Sequence, residues 1–542
     1  MADDGRPATA RSRSDNPFLA ALKSGLRALF EPLERGAERL FSPALNPLAN
    51  LGALGFFLFW VVAVSGIYLF AFFDTGVVNA YASLEWISRE HWFHAGIMRS
   101  FHRYASDLMV VVMALHLLRE FSLDRYRGVR WFSWFTGIPI IWFLYVSGIT
   151  GYWLVWDELA QYIALVSARM LDVAPIFGEP IARNFLTPES LSSRFFTLLV
   201  FLHIAVPLFL LLAMWIHIQR ISRPRVNPPR TLAALVLVAL LALSLWRPAM
   251  SQGPADLSKV PAEIGLDWLF LPLYPLADLW SAGALWGLLG AATVILAAMP
   301  WLPPFRRPRA AEVDLAHCNG CNRCVEDCPY EAIELVPRTD GLPFPEQAQV
   351  KPDLCVSCGI CMGACPSSTP FRRTTELRTG IDLPDYPLRA LRERVLAAAQ
   401  TLTGPSRILV LGCEHGAAGG GRPDAVAVPC AAMVPPSMID FILSRRLADG
   451  VMVAGCSEST CYNRLGAQWT KARFTRERDP YLRARVPRER LATIWASPWE
   501  TARLEAALAA LSAEVGRLPD PVPPPAPRGA SSEDRRPAEV EP

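Results

Sequence analysis

Hydrophobic positions divide the chain into two regimes. Up to about residue 308 they form runs long enough to cross a bilayer, which takes about 20 residues per helix. The clearest runs are Leu51 to Phe73, Trp131 to Val155, Phe195 to Ile218 and Leu279 to Leu302. Met98 to Leu118, interrupted by Arg99, His102, Arg103, Asp107 and His116, and the shorter Leu232 to Trp246 complete six predicted spans. Ahead of them residues 1–16 are polar and predict a disordered start. Phe18, Leu19, Leu22, Leu26, Leu29, Phe30 and Leu33 then recur at helical spacing among Lys23, Arg27 and Arg35. That pattern predicts an amphipathic helix on the membrane surface, within a leading segment 1–50, with an ordinary packing helix as the alternative. Beyond Arg309 the pattern turns globular. Residues 373–405 predict a connector with a helix from Leu388 to Leu402. Short apolar runs (Ile408 to Leu411, Ala425 to Val428, Val451 to Ala454) then alternate with helical stretches such as Ser437 to Leu447. This order predicts a small α/β domain over 405–516, and the proline- and charge-rich 518–542 a disordered tail.

Composition sharpens this picture. The 542 residues are 52% hydrophobic and only 19% charged, which excludes an ordinary soluble or disordered chain. The net charge of +3 and the lack of a basic face give no reason to expect nucleic acid. Arg119, Arg125, Arg127 and Arg130 fall between spans two and three. Arg220, Arg223, Arg225 and Arg230 fall between four and five, and Arg306, Arg307 and Arg309 after six. The opposite loops carry only Arg89, then Arg169 and Arg183, then Lys259. The positive-inside rule therefore puts both termini in the cytoplasm, and with them everything after residue 308. All 12 cysteines lie between Cys318 and Cys461, where their spacing points to metal in a reducing compartment.

Ionisable residues within a span are costly and mark candidate sites. His102 and His116 are 14 residues apart on span two, and His203 and His217 are 14 apart on span four. Fourteen residues make just under four turns, so each pair shares a helix face with its members about 21 Å apart. The two spans run in the same direction, so the pairs meet at two levels. Such an arrangement can hold two stacked bis-histidine haems, one between His102 and His203 and one between His116 and His217. Gly52 and Gly66 on span one and Gly137 and Gly151 on span three repeat the interval, offering small surfaces at two depths.

With these pairs, Arg99 and the run Gly151-Tyr152-Trp153-Leu154-Val155-Trp156, residues 20–308 resemble cytochrome b of the bc-type quinol-oxidising complexes. The resemblance implies two b haems within a segment 51–308, a quinone as substrate, and Arg99 as partner of a haem propionate. The segment from Gly253 to Pro272 resembles that family's outer quinol-oxidation loop. Where the family carries Pro-Glu-Trp-Tyr, this chain has Leu266-Asp267-Trp268-Leu269. Asp267 keeps the acid one methylene shorter and is the candidate catalytic residue, a proton acceptor from quinol, with a merely solvated loop acid as the alternative. Arg194, nine residues before His203, falls on the opposite helix face and is a poor haem partner.

Cys318, Cys321, Cys324 and Cys328-Pro329 form C-x2-C-x2-C-x3-C-P, and Cys355, Cys358, Cys361 and Cys365-Pro366 repeat it. This is the two-cluster bacterial ferredoxin pattern, in which the fourth cysteine of each run serves the other cluster. It predicts a ferredoxin-like domain over 312–372 with two 4Fe-4S clusters, one on Cys318, Cys321, Cys324 and Cys365, the other on Cys355, Cys358, Cys361 and Cys328. The last four, Cys413, Cys430, Cys456 and Cys461, lie near the ends of the predicted strands. The run from Ala448 to Cys456 with Cys461-Tyr462-Asn463 resembles the delta subunit of methyl-viologen-reducing hydrogenases. That resemblance implies a 2Fe-2S cluster and a heterodisulfide-reductase-type flavoprotein partner; four cysteines also suit tetrahedral zinc. His317 and His415 adjoin cysteines and are candidates to tune or ligate.

The sequence thus predicts a six-span all-α bundle, a two-cluster ferredoxin-like domain and a small α/β domain in one chain. It would be a subunit of a quinone oxidoreductase in a bacterial or archaeal cytoplasmic membrane, active with a partner. Electrons would run between a cytoplasmic flavoprotein and the quinone pool, preferably toward quinone. Quinol oxidation feeding a low-potential acceptor, and a non-enzymatic redox sensor, are the alternatives. The glycine run Gly419-Gly420-Gly421 opens no nucleotide-binding turn, so a flavin or nucleotide site belongs to the partner.

Overall fold

The computed structural model describes residues 17–173, 186, 192–219, 225–261, 263–302, 308–371, 377–419, 422, 425–458 and 461–519. Residues 1–16 and 520–542 of the predicted disordered ends, with Arg183, Arg220, Arg223, Arg306, Arg307, Gly420 and Gly421, lie outside them. The chain divides into two compact units, residues 1–308 and 309–542.

The first unit is helical: α1 (Pro17–Leu45), α2 (Leu51–Phe70), α3 (Ala80–Arg89), α4 (Ile97–Ser122), α5 (Trp131–Val155), α6 (Glu158–Leu171), α7 (Ser193–His217), α8 (Arg230–Trp246), α9 (Tyr274–Leu279) and α10 (Ala282–Ala298). Four helical stretches are long and apolar enough to cross a membrane: Pro47–Phe70, Trp131–Val155, Ser193–His217 and Ala282–Trp301. The unit is a multi-pass membrane bundle. The charges of α4 and the 17-residue length of α8 keep these two helices, counted among the six expected spans, outside that set.

Helix α1 is anchored to α4 as well as amphipathic. Lys23 meets Asp124 at 2.7 Å and Glu34 meets Arg119 at 2.6 Å, all four side chains being at most 5% exposed. Phe30 is buried, while Phe18, Leu29, Leu33 and Leu40 remain exposed, so the helix has one docked face and one open apolar face.

Past α5 the chain reverses sharply. Trp156 takes a left-handed conformation, and the following Asp157 caps α6 by accepting the Ala160 amide at 2.9 Å. Its other oxygen accepts the Gln252 amide, and the backbone around Trp156 and Glu158 bonds to Ala255 and Gly253. The long loop after α8 is thereby held by the end of α5.

The second unit begins with two antiparallel ribbons. β1 (Glu312–Val313) pairs with β4 (Ile381–Asp382), and β2 (Ile333–Pro337) with β3 (Glu346–Val350). Single-turn helices α11 (Arg323–Asp327) and α12 (Ile360–Ala364) follow the cysteine loops, and α13 (Leu388–Thr401) leads onward. A four-stranded parallel sheet then forms in the order β6 (Ala425–Val428), β5 (Ile408–Cys413), β7 (Gly450–Gly455), β8 (Leu491–Trp495). Strands β5 and β7 are buried throughout, as a parallel sheet covered on both faces requires. Helices α14 (Pro436–Ser444), α15 (Gly466–Thr475) and α16 (Thr501–Val515) cover it. Strand β8 and the last two helices were not among the sequence expectations; Leu-Ala-Thr-Ile-Trp is too short to declare itself.

Replacing Glu34 by Leu leaves Arg119 buried beside α1 without its closest partner, a class of change costing about 3–5 kcal/mol. The thermal unfolding midpoint in detergent should fall, and the double variant E34L/R119L should regain most of the loss. Losses that simply add would disprove the tie between α1 and α4.

Candidate functional site

Four glycines decide where the intramembrane histidines can sit. A methyl group at Gly66 would stand 2.9 Å from Cε1 of His102, and one at Gly151 2.9 Å from Cε1 of His203. At the other level the corresponding distances are 3.7 Å for Gly52 and His116 and 3.4 Å for Gly137 and His217. Gly52 and Gly66 of α2 therefore open notches for His116 and His102 of α4, and Gly137 and Gly151 of α5 for His217 and His203 of α7. The glycines receive the imidazole edge itself.

Three of the notches also supply an acceptor. His102 Nδ1 lies 3.0 Å from the Val62 carbonyl and 3.3 Å from the Ser65 hydroxyl. His203 Nδ1 lies 3.1 Å from the Ser147 carbonyl and 3.2 Å from Thr150 Oγ1. His217 takes the Ser133 carbonyl and Thr136 Oγ1 in the same way. In all three the carbonyl is four residues before the glycine and the hydroxyl one before it. Nδ1 as donor to the carbonyl fixes the tautomer and leaves Nε2 for iron. Ser65-Gly66, Thr136-Gly137 and Thr150-Gly151 were a sequence signal, unread until the helices were paired.

The rings of His102 and His203 stand 6.1 Å apart, centre to centre. Two imidazoles bound by Nε2 to opposite faces of one metal at about 2 Å each would be separated by roughly 6 Å. The spacing and the free nitrogens fit a bis-histidine haem. His116 and His217 lie near enough to interact electrostatically.

Arg99 is buried and donates to the Leu84 carbonyl, to Ser88 and, at 2.8 Å, to Ser251. It joins α4 to α3 and the outer loop, and three of its contacts are with protein groups. Arg194 is exposed in the first turn of α7.

Asp267 is not a solvated loop acid. Its side chain is 8% exposed, pairs with Arg103 at 2.7 Å and accepts the Tyr152 hydroxyl; its second oxygen accepts the Leu269 amide at 2.7 Å. Phe270, lying against Gly148 of α5, keys this turn into the bundle. Burial alone would push the carboxyl up, but Tyr152, Arg103 and the amide outweigh it and hold Asp267 below its ordinary range. In this arrangement it is an ionised, weak base.

In the second unit the two cysteine runs interlock. Cys318, Cys321, Cys324 and Cys365 line one cavity. Cys328, Cys355, Cys358 and Cys361 line another. In each loop the residues flanking the second cysteine, Gly320 and Asn322 or Ser357 and Gly359, are left-handed, which curls the backbone around the cavity. The Ala332 amide donates to Cys328 Sγ at 3.3 Å and the Ala311 amide to Cys355 Sγ at 3.4 Å, bonds that tune cluster potentials. Burial pushes the Cys324 thiol up to about 12 and those of Cys358 and Cys361 further, so metal must displace protons here. The donor sets fit two 4Fe-4S clusters. His317 is engaged by Asp314 at 3.2 Å.

The last four cysteines converge at the carboxyl end of the parallel sheet. Cys413 ends β5, Cys430 follows β6 and Cys456 follows β7, flanking the point where the strand order reverses across β5. They are 1%, 2% and 4% exposed, and Cys461 6%. Cys456 and Cys461 are 3.5 Å apart, and a side chain at Gly466 would run into Cys430. His415 stacks on Tyr462 at 3.6 Å. Among the described residues no three His, Cys, Asp or Glu side chains stand at single-ion distances.

Residues 37–224 match the family model of cytochrome b/b6/petB, residues 317–369 that of the 4Fe-4S dicluster domain, and residues 422–518 that of the methyl-viologen-reducing hydrogenase delta subunit. The first match ends before the Asp267 loop and the third begins after Cys413. A solved structure titled "Hyperthermophilic respiratory Complex III" is similar at 20% identity over 46% of this chain and 74% of that one, with a TM-score of 0.38. The chain thus joins a cytochrome b/b6 region, a 4Fe-4S dicluster region and a methyl-viologen-reducing hydrogenase delta-subunit region into one membrane electron-transfer subunit.

Proposed function

We propose that this subunit passes electrons between a soluble cytoplasmic flavoprotein, of the heterodisulfide-reductase type, and the quinone pool. The observation that carries the proposal is the presence in one chain of three cysteine sites and two histidine levels, each matched to a one-electron centre. When bound, two b haems, two 4Fe-4S clusters and a 2Fe-2S cluster supply one-electron carriers. His102 with His203 and His116 with His217 hold the haems. The cysteines of the two ferredoxin-motif cavities hold the 4Fe-4S clusters, and Cys413, Cys430, Cys456 and Cys461 hold the 2Fe-2S cluster. The arginines following spans two, four and six support six spans with the cysteine domains in the cytoplasm.

Quinone chemistry has two candidate faces. At one, Asp267 of the loop after α8, hydrogen-bonded to Tyr152 and paired with Arg103, would exchange a proton with the quinone/quinol couple. The second reading places the reaction near His116 and His217, and the prior engagement of both Asp267 oxygens favours it. Electron flow toward quinone is preferred, because a chain of cysteine sites suits a low-potential cytoplasmic donor.

Three outcomes test this. The purified chain should carry two haems and ten cluster irons by metal analysis with optical and EPR spectra; a zinc-loaded third site would remove the 2Fe-2S assignment. Gly66→Ala should displace His102 and reduce the haem count toward one, while Gly52→Ala, with 3.7 Å of room, should keep two. Equal loss from both would disprove the notch mechanism. Asp267→Asn should lower quinone-dependent haem oxidation by on the order of tenfold or more, within the range for a lost proton-transfer group. Unchanged turnover would move the reaction to the inner level.

A further inference from the structure

Helix α15 begins at the third cysteine site, where Gly466 lies against Cys430 and Cys461. Trp469 and Arg473 follow at one-turn intervals on a single face. Trp469 joins Cys430, Ala432, Cys358 and Ile360 in one buried apolar cluster, so the third site and the cavity of Cys328, Cys355, Cys358 and Cys361 share a wall. Backbones approach closely at this wall. A side chain at Gly363 would run into the Ala432 carbonyl, and one at Gly359 would stand 2.7 Å from Met433 Cγ.

Arg473 sits inside the wall at 1% exposure. Its Nη1 donates to the Ala432 carbonyl at 2.8 Å, and its Nη2 to Asp327 and, at 3.4 Å, to the Ile360 carbonyl. Ala432 follows Cys430 by two residues, Asp327 adjoins Cys328, and Ile360 lies between Cys358 and Cys361. Two of its partners, Ala432 and Ile360, thus come from the loops of these two sites, and the third, Asp327, ends α11 next to Cys328. Arg478 shares the same Asp327 and stacks over Trp469 at 3.7 Å, so two guanidinium groups share one buried carboxylate and a net positive charge remains. Arg473 Nε is buried without a hydrogen-bond partner among the described residues. Burying a charge beside an unmatched donor is costly unless something negative offsets it, and a thiolate-ligated cluster on either side is negative.

We propose that Arg473 is a positioning charge that couples the third cysteine site to the cavity of Cys328, Cys355, Cys358 and Cys361, making that cavity the one that exchanges electrons with the third site. The inference rests on the reading of the third site as a redox centre. One electron leaves one site and arrives at the other. No bond is made or broken, and the guanidinium keeps its proton throughout. The fixed cation stabilises the reduced, more negative form of both neighbours and raises their potentials together, which keeps the transfer between them nearly level. The cavity of Cys318, Cys321, Cys324 and Cys365 lacks this contact and serves as the far end.

The test is an EPR-monitored titration of the full-length, cluster-loaded chain with dithionite and mediators. Arg473→Gln should cut the reduced-to-oxidised ratio of two centres about tenfold at a fixed potential, a 59 mV fall for a one-electron couple. The other 4Fe-4S centre and the haems should stay in place, and Arg473→Lys should stay near the parent. Unmoved potentials, or equal shifts in all centres, would overturn the role of Arg473. If Arg473→Gln loses iron, Asp327→Asn must shift the same two centres upward, and failure to do so overturns it equally. A parent chain with only the two 4Fe-4S signals would instead sink the redox reading of the third site.

Discussion

An imidazole ring in an apolar bundle must find both space and a hydrogen-bond partner, and the whole first unit is arranged around meeting that demand. A glycine on the facing helix provides the space. The helical carbonyl one turn earlier provides the partner, which the helix can share because a carbonyl has two lone pairs. Both come from the same short stretch of α2 or α5, so the pairings of α2 with α4 and α5 with α7 are set in rotation and in depth. A shift of one residue would turn the notch by about 100° and leave a ring nitrogen unsatisfied in a low-dielectric interior. The haem-ligand geometry and the helix packing are thus one constraint.

The long outer loop is ordered by a second set of polar contacts at the bundle edge. Asp157 caps α6 with one oxygen and holds Gln252 with the other, and Arg99 reaches Ser251 from one turn before His102. The loop carrying Asp267 is therefore tied to the same helix that carries the first histidine level. Arg103 continues this line, pairing Asp107 at 2.7 Å and Asp267 at 2.7 Å.

In the second unit the demand is reversed. Cysteine thiols are apolar enough to be buried, and the difficulty lies in bringing loops from distant segments close enough to share a cluster. Glycines at 359, 363 and 466 allow backbone to meet backbone or sulfur where a side chain would collide. The cost appears as buried charge. Asp327, Arg473 and Arg478 form a compact ionic knot between the two cysteine domains, and such knots bring specificity of docking more dependably than stability.

The sequence alone singled out the candidate ligand residues, because periodicity and motif spacing are local properties. Histidines 14 residues apart share a helix face wherever the helix lies, and C-x2-C-x2-C-x3-C-P wraps a cluster in any context. The apolar spans and strands β5, β6 and β7 were legible for the same reason. Only the tertiary structure decided which glycine faces which histidine, that α1 is bound to α4 through buried ion pairs, and that Asp267 is engaged by Arg103 and Tyr152. It alone brought Arg473, far along the chain from both ferredoxin motifs, between two cysteine sites. These are pairings between elements distant in sequence, fixed by packing and by the need to satisfy every buried charge and polar group. No local spacing encodes them.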